Sequence, residues 1–503
     1  MPKNPFLYDA SVREQERRAS LARARRVVWL RRTLMTVLVL VAVAAVIVAV
    51  ATRPDGRFHR GSVPFAPCRI RLVAAQCARL AVPEDPQRPG GRRISLRIAV
   101  IPATRQPAAG ALFYLAGGPG EAASTDVPAV DQLFGKVAST RDLVLVDQRG
   151  TGGSHRLSCA RTSIRVEQTA AVAAYVRRCY ARLGPEVRLY TTAVAMDDLE
   201  AVRRALGYDR IDVYGASYGA TAAQIYLRLH PHSVRTLILD GGSLLRVPIY
   251  EARAANAERA LRAQLARCSA ELACRRAFPR IRSELAALLE RTARRTEAFG
   301  QTVTIDADAV ASTVHALSFE ADGVPLIPEV VHRAARGDYV PLAQEYVDRV
   351  GPGLDARARL VMSFEILCSE PWAGFDPVKV LQSSAGSYLA GVAESRARLF
   401  AQVCRFVPKG VVPPGSSSLV PTDVPVLILA GSADPQDPPA NMRGWRTFFP
   451  NGRLVVVRGA THGVLAEGCV APVAAQFVDS GTARGLDTIC VRRIEQPTFE
   501  TTG

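Results

Sequence analysis

The pentapeptide Gly215-Ala216-Ser217-Tyr218-Gly219 constrains this 503-residue chain more than any other feature. It is the only G-x-S-x-G present. At ordinary glycine frequency about 0.15 such matches arise by chance in a chain this long, so its context has to decide. The apolar run Ile211–Tyr214 predicts a buried strand entering the pentapeptide, and Ala220–Leu229 predicts a helix leaving it. Small residues on either side of a serine in that setting permit a strained turn that projects the hydroxyl. Ser217 is the candidate nucleophile. The plainer alternative is a structural strand-to-helix turn.

The surroundings repeat this grammar. Leu112–Ala116, Leu143–Val146 and Thr236–Leu239 read as further buried strands, with helical patterns such as Met196–Leu206 between them. Strands alternating with helices predict a parallel sheet covered on both faces. From about 250 to 410 the character changes: Glu251–Cys268 and Arg280–Ala298 are Ala/Leu/Arg-rich with helical spacing, and strands are scarce. The strand pattern returns at Val424–Leu429 and Leu454–Val457. The expected organisation is a core over residues 68–245, a helical cap over 246–420 and the rest of the core over 421–480. A linker over 53–67 and a tail over 481–503 flank them.

A serine nucleophile needs a base, and the base an orienting acid. Of the three histidines well after Ser217, His315 and His332 fall in the helical insert, whereas His462 follows a late strand in Arg458-Gly459-Ala460-Thr461-His462-Gly463. His462 is the expected base. The acid should close the preceding strand, which ends in Ala430-Gly431-Ser432-Ala433-Asp434-Pro435-Gln436-Asp437. Asp434 is preferred, with Asp437 next and Asp240 third. Backbone N–H groups must also face the developing oxyanion. One is expected from Tyr218. The other should come from the loop Ala116-Gly117-Gly118-Pro119-Gly120, where glycines allow close approach to a reacting carbonyl.

Together, Gly117–Gly120, Asp147-Gln148-Arg149-Gly150-Thr151-Gly152, Gly215–Gly219, Gly431–Asp434 and His462 resemble the proline iminopeptidase and tripeptidyl aminopeptidase family of serine exopeptidases. The likeness spans about residues 67–480. It implies the α/β-hydrolase fold with a helical cap, release of short peptides from free N-termini, and Gly118 as the second oxyanion donor. Asp147–Gly152 would shape the pocket without taking part in chemistry. The resemblance also makes Glu370, just after Cys368, a ligand for the substrate ammonium, which needs a carboxylate once it loses its water. The alternative is an ordinary acid beside a disulfide. The chain departs from the pattern at Ala116, where many relatives carry His, and in the extra acid Asp437. No cofactor is implied. The rival functions are a carboxylesterase or lipase on the same fold and a catalytically inactive surface-binding protein.

Residues 33–52 form an uncharged apolar stretch that as a helix would span about 30 Å, a bilayer core. Eight arginines between Arg13 and Arg32 precede it, so the basic tail 1–32 is expected in the cytoplasm and the remainder outside the cell. The segment reads as a membrane anchor or as a cleaved signal peptide that leaves the protein secreted. Residues 1–60 carry +8 of the formal +18, and no dense basic stripe with interleaved aromatics follows. That argues against nucleic acid as a partner. All ten cysteines lie beyond the apolar segment, without the spacing of a zinc site. Short loops favour the sequential pairs Cys68–Cys77, Cys159–Cys179, Cys268–Cys274, Cys368–Cys404 and Cys469–Cys490.

Overall fold

A computed structural model describes residues 59–159, 164, 169–351 and 357–501. Nine strands build one sheet: β1 (Ala66–Ile70), β2 (Val73–Pro83), β3 (Arg93–Ile101), β4 (Ala111–Leu115), β5 (Asp142–Val146), β6 (Ile211–Ala216), β7 (Val234–Asp240), β8 (Val426–Gly431) and β9 (Arg453–Val457). They lie in the order β9-β8-β7-β6-β4-β5-β3-β2-β1. Strands β4 to β9 pair parallel, while β1, β2, β3 and β5 pair antiparallel in succession. Every residue of β5 and β8 is buried, which is why these strands read as unbroken apolar runs.

Alternate side chains of each strand feed two hydrophobic clusters. Ile98, Val100 and Phe113 pack with helices α1 (Thr192–Ala205) and α2 (Tyr218–Leu229), whereas Ala99, Ile101 and Leu112 pack on the other face with Val473 and Phe477. Strands β4 and β6 are neighbours, but the chain leaves β4 toward β5 and leaves β6 toward β7, in opposite directions across the sheet. The crevice at the carboxyl ends of β4 and β6 is where such sheets bind ligands. Ser217 and Gly117–Gly120 both emerge there.

Between β7 and β8 the chain forms a mainly helical insert. Its α3 (Ile249–Ala270) and α4 (Ala307–Phe319) enclose a third cluster that includes Leu261, Leu265, Val314 and Leu317. In contrast, α5 (Arg357–Ser369) and α6 (Ala390–Val403) give Met362, Phe364 and Phe400 to the main core.

Three expectations need correction. Arg280–Ala298 is helical only over Ile281–Leu289, after which Arg294–Ala298 and Gln301–Ile305 form an antiparallel hairpin. Its turn residues Phe299 and Gly300 both have positive φ (49° and 72°), the geometry of tight hairpins, and the β-branched run Thr302-Val303-Thr304-Ile305 suits a strand. Residues 59–67 are not a free linker: Val63 and Phe65 are buried and the segment pairs in strands. Nor is 481–501 a loose tail, since Phe499 is buried in the cap cluster and the Glu500 N–H donates to the Pro325 carbonyl. The five disulfides join the cysteines in the expected sequential pairs, with Cα separations of 5.7, 5.5, 5.2, 5.2 and 6.3 Å. The apolar segment 33–52 and the basic tail 1–32 lie outside the described residues. Among the described residues no helix is long and apolar enough to cross a membrane.

Candidate active site

Strand β6 ends at Ala216 and α2 begins at Tyr218, so Ser217 alone makes the turn. Its backbone sits at φ 55°, ψ −121°, a strained conformation for a residue with a side chain. Such strain costs on the order of 1–3 kcal/mol and persists only where the surroundings enforce it. Here two glycines do so. A Cβ on Gly215 would lie 2.2 Å from the Gly219 carbonyl oxygen, and one on Gly219 would lie 2.1 Å from that of Leu115. The Ser217 N–H donates to the Asp240 carbonyl at 2.9 Å, tying the turn to the end of β7.

Tyr218 opens α2, where first-turn N–H groups have no helical acceptor. Gly117 approaches from β4: a Cβ built there would be 3.4 Å from the Ser217 Cβ. Gly118 follows at φ 113°, which glycine alone adopts readily. The expected oxyanion residues therefore flank Ser217 from both sides. Over this loop lies α5, whose Ser363 hydroxyl donates to the Pro119 carbonyl at 3.1 Å.

His462 sits against the end of β7, within contact of Gly241. Its Nδ1 is 2.8 Å from Asp434 Oδ2 and 3.8 Å from Asp437 Oδ2. Asp434 Oδ1 accepts the backbone N–H groups of Gln436 and Asp437, both at 2.8 Å. Asp437 is held instead by Gln436 Nε2 at 3.1 Å and by the Ser243 hydroxyl. Geometry thus puts Asp434 at hydrogen-bond distance and Asp437 behind it. Burial acts to raise the Asp434 pKa, yet the His462 charge and these hydrogen bonds leave it below the usual carboxylate value. Burial, and then the charge of Asp434, pushes Asp437 up to about 6. His462 Nε2 is buried and has no hydrogen-bond partner among the described residues. Asp240, the third candidate acid, accepts the N–H groups of Val464 and Leu465 (2.8 and 3.0 Å) and the Tyr214 hydroxyl (2.8 Å). It anchors the loop after His462 and makes no hydrogen bond to the imidazole.

Glu370 lies beneath Tyr218 rather than facing an open site. Its Oε1 accepts the Thr192 N–H at 2.6 Å, its Oε2 accepts from Trp372 Nε1, and burial raises its pKa. Thr192 Oγ1 is in turn 2.7 Å from the Tyr218 hydroxyl. Glu370, the expected amine ligand, thus has each oxygen accepting from a neighbour packed about Tyr218. Five residues earlier, Glu365 has a buried Oε2 without a hydrogen-bond partner among the described residues, and burial pushes its pKa up to about 8.

Two sets of contacts were not legible in the sequence. Arg149 is fully buried, gripping both Asp198 oxygens at 2.7 Å and the carbonyls of Glu84, Leu189 and Pro83. The loop Asp147–Gly152 is thus pinned to α1 and to the end of β2. Phe319, at the end of α4, packs its ring on His462 with centroids 4.2 Å apart. Nothing in local spacing announces a contact between residues so far apart in the chain. Among the described residues no cluster of three or more His, Cys, Asp or Glu could hold a metal.

The alpha/beta hydrolase fold family matches residues 110–468. The chain is 30% identical over 186 residues to a tripeptidyl aminopeptidase of Streptomyces coelicolor, covering 33% of this chain and 34% of that protein. It is 31% identical over 241 residues to the serine protease Hip1 of Mycobacterium tuberculosis, covering 42% and 46%. Over 135 residues it is 30% identical to a proline iminopeptidase of Neisseria gonorrhoeae, covering 27% and 33%. The matches thus span less than half the length of each of these relatives.

Proposed function

Because the chain belongs to the alpha/beta hydrolase fold family, we propose that it is a serine peptidase that releases residues or short peptides from the N-termini of peptides. The observation that carries this reading is His462: Nδ1 is held 2.8 Å from a buried carboxylate while Nε2 is left without a partner, in the crevice that also holds the strained Ser217. Peptides are favoured over other acyl substrates by the names of the relatives, two aminopeptidases and a serine protease.

In this mechanism Ser217 Oγ attacks the scissile carbonyl and His462 Nε2 takes its proton. Asp434 holds the imidazole in the tautomer with Nδ1–H and stabilises the imidazolium. The N–H groups of Tyr218 and Gly118 receive the oxyanion, each such donor being worth about 10²–10³ in rate. When the C–N bond breaks, the imidazolium gives its proton to the departing amine, leaving the acyl group on Ser217. Water, deprotonated by the same histidine, then releases the acid.

We also propose that the enzyme works outside the cytoplasm, held to the membrane by residues 33–52 or secreted after their removal. Five disulfides and the arginine-flanked apolar stretch support this. The deciding experiment is labelling with a fluorophosphonate, followed by turnover of chromogenic peptides with free and acetylated N-termini beside short acyl esters. Labelling lost in Ser217→Ala, with turnover confined to free N-termini, is the expected result. Labelling that survives in Ser217→Ala, or turnover of esters alone, would overturn the reading.

A further inference from the structure

The insert holds a cavity of about 540 Å³, open on one side and lined from α3, α4 and α6, within the size range of small-molecule sites. Phe319 is its wall on the side of the candidate active site: the ring packs on His462 at a tilt, and the Phe319 carbonyl accepts the His462 backbone N–H at 3.4 Å. Arg253 on α3 and Arg396 on α6 both line it, with Tyr250 and His315. Arg253 Nη2 lies 3.1 Å from His315 Nε2, and its Nε is buried with no hydrogen-bond partner among the described residues. Arg396, an exposed residue on the cavity's lining, has no hydrogen bond or ion pair among the described residues. The charge of Arg253, and then burial, depresses the Arg396 pKa to about 9.

This wall is unusual beside its own neighbour. Arg349 also lines the cavity, but it is matched by Glu320, Asp322 and Glu345. The cavity's acids are engaged elsewhere, Glu320 with Arg349 and Asp308 with the Ser395 hydroxyl at 3.2 Å. Two unmatched guanidiniums in one partly desolvated space repel each other, and a bound anion relieves both. Position along the substrate follows from the chemistry. His462 delivers its proton to the departing amine, so a cavity on the His462 side receives the departing portion. In a short peptide that portion ends in a carboxylate.

Resting on the proposed cleavage of peptides at Ser217, we propose that Arg253 and Arg396 form a carboxylate-binding subsite that receives the C-terminal carboxylate of a short peptide substrate. The enzyme then favours short oligopeptides with free C-termini, because only a short departing portion sets its carboxylate beside these arginines. The test measures binding to Ser217→Ala by calorimetry, with tetra-alanine, its C-terminal amide, and an amidated peptide of equal length ending in aspartate. The free acid should bind at least about tenfold tighter than the neutral amide, the scale of a charged hydrogen bond. In Ser217→Ala carrying also Arg396→Gln or Arg253→Gln, that ratio should fall toward one, while the amide still reports an intact cavity. Tight binding of the amidated aspartyl peptide instead of the free acid would mean that an acidic side chain, not the terminus, is read, and would overturn the terminal assignment. Equal binding of acid and amide before any arginine is changed would overturn the subsite altogether. Because binding is read without turnover, failure of the wild type to cleave any peptide would count against the proposed activity alone.

Discussion

Burial by itself would drive the His462 imidazole below its ordinary pKa; the charge and hydrogen bond of Asp434, with Asp437 and Asp240 behind it, instead raise it to about 9. A general base must begin neutral, so kcat/KM should climb with pH through the alkaline range toward about 9. Asp437→Asn removes a negative charge 3.8 Å from Nδ1. That change weakens the imidazolium, so the rising limb should move to lower pH with little change in the plateau. Asp434→Asn removes the acceptor for Nδ1–H and should lower the plateau by about 10⁴. Ser217→Ala and His462→Ala should each abolish nearly all turnover. Profiles of the two aspartate variants against pH check the assignment; an exchange of their behaviour would make Asp437 the orienting acid. Glu370→Gln belongs at the same scale. With both oxygens held by Thr192 and Trp372, it should slow free and N-acetylated peptides alike, and a loss confined to free N-termini would restore it as the amine ligand. Ser217, Asp434 and His462 stand out as candidates in the sequence because each follows the end of a strand, in a fixed chain order. The partners of Glu370 were not legible, because burial and contacts depend on how α5 docks, which local spacing does not encode.

The loop Asp147–Gly152 shows what an element needs before it can hold a site steady. Arg149 spends all its hydrogen-bonding capacity on Asp198 and on three carbonyls, and is wholly buried. Arg149→Met should therefore destabilise the protein by about 3–5 kcal/mol, since it strands the Asp198 carboxylate in the interior. Arg149→Met with Asp198→Leu should recover much of that loss, because a buried ion pair replaced by apolar side chains is often neutral. Urea midpoints of wild type, single and double variants check this, and a double variant no better than the single would assign the loss to the three carbonyls. Elements themselves were legible in proportion to their burial. β5 and β8, buried at every position, announce themselves as apolar runs, and α3 as an Ala/Leu/Arg helix. The hairpin over Arg294–Ile305 did not, because its charged first strand carries no alternation and only the turn residues betray it. The C-terminal segment that buries Phe499 lacks any periodic signal, since it is placed by single contacts with the cap.

Across the whole molecule, the disulfides divide by how much chain each one closes. Cys268–Cys274 closes a loop of 6 residues within the insert, whereas Cys368–Cys404 closes 36 and joins the end of α5 to the end of α6. The chain-entropy argument assigns about 2 kcal/mol to the first and about 4 kcal/mol to the second. The second bond also holds the helix whose Ser363 touches the oxyanion loop and whose neighbour α6 carries Arg396. Replacing Cys368 and Cys404 together by alanine should thus lower the urea midpoint more than replacing Cys268 and Cys274, and should weaken peptide turnover at temperatures where both proteins remain folded. The compartment enters through the same bonds. A protein folded outside the cytoplasm should show no titratable thiol until it is reduced, and reduction should lower its Tm. A reporter fused after Gly503 should be active only beyond the membrane, as the arginines before residue 33 require. Ten titratable thiols in the native protein, with Tm unmoved by reductant, would remove the disulfides from the account of its stability and the oxidising compartment with them.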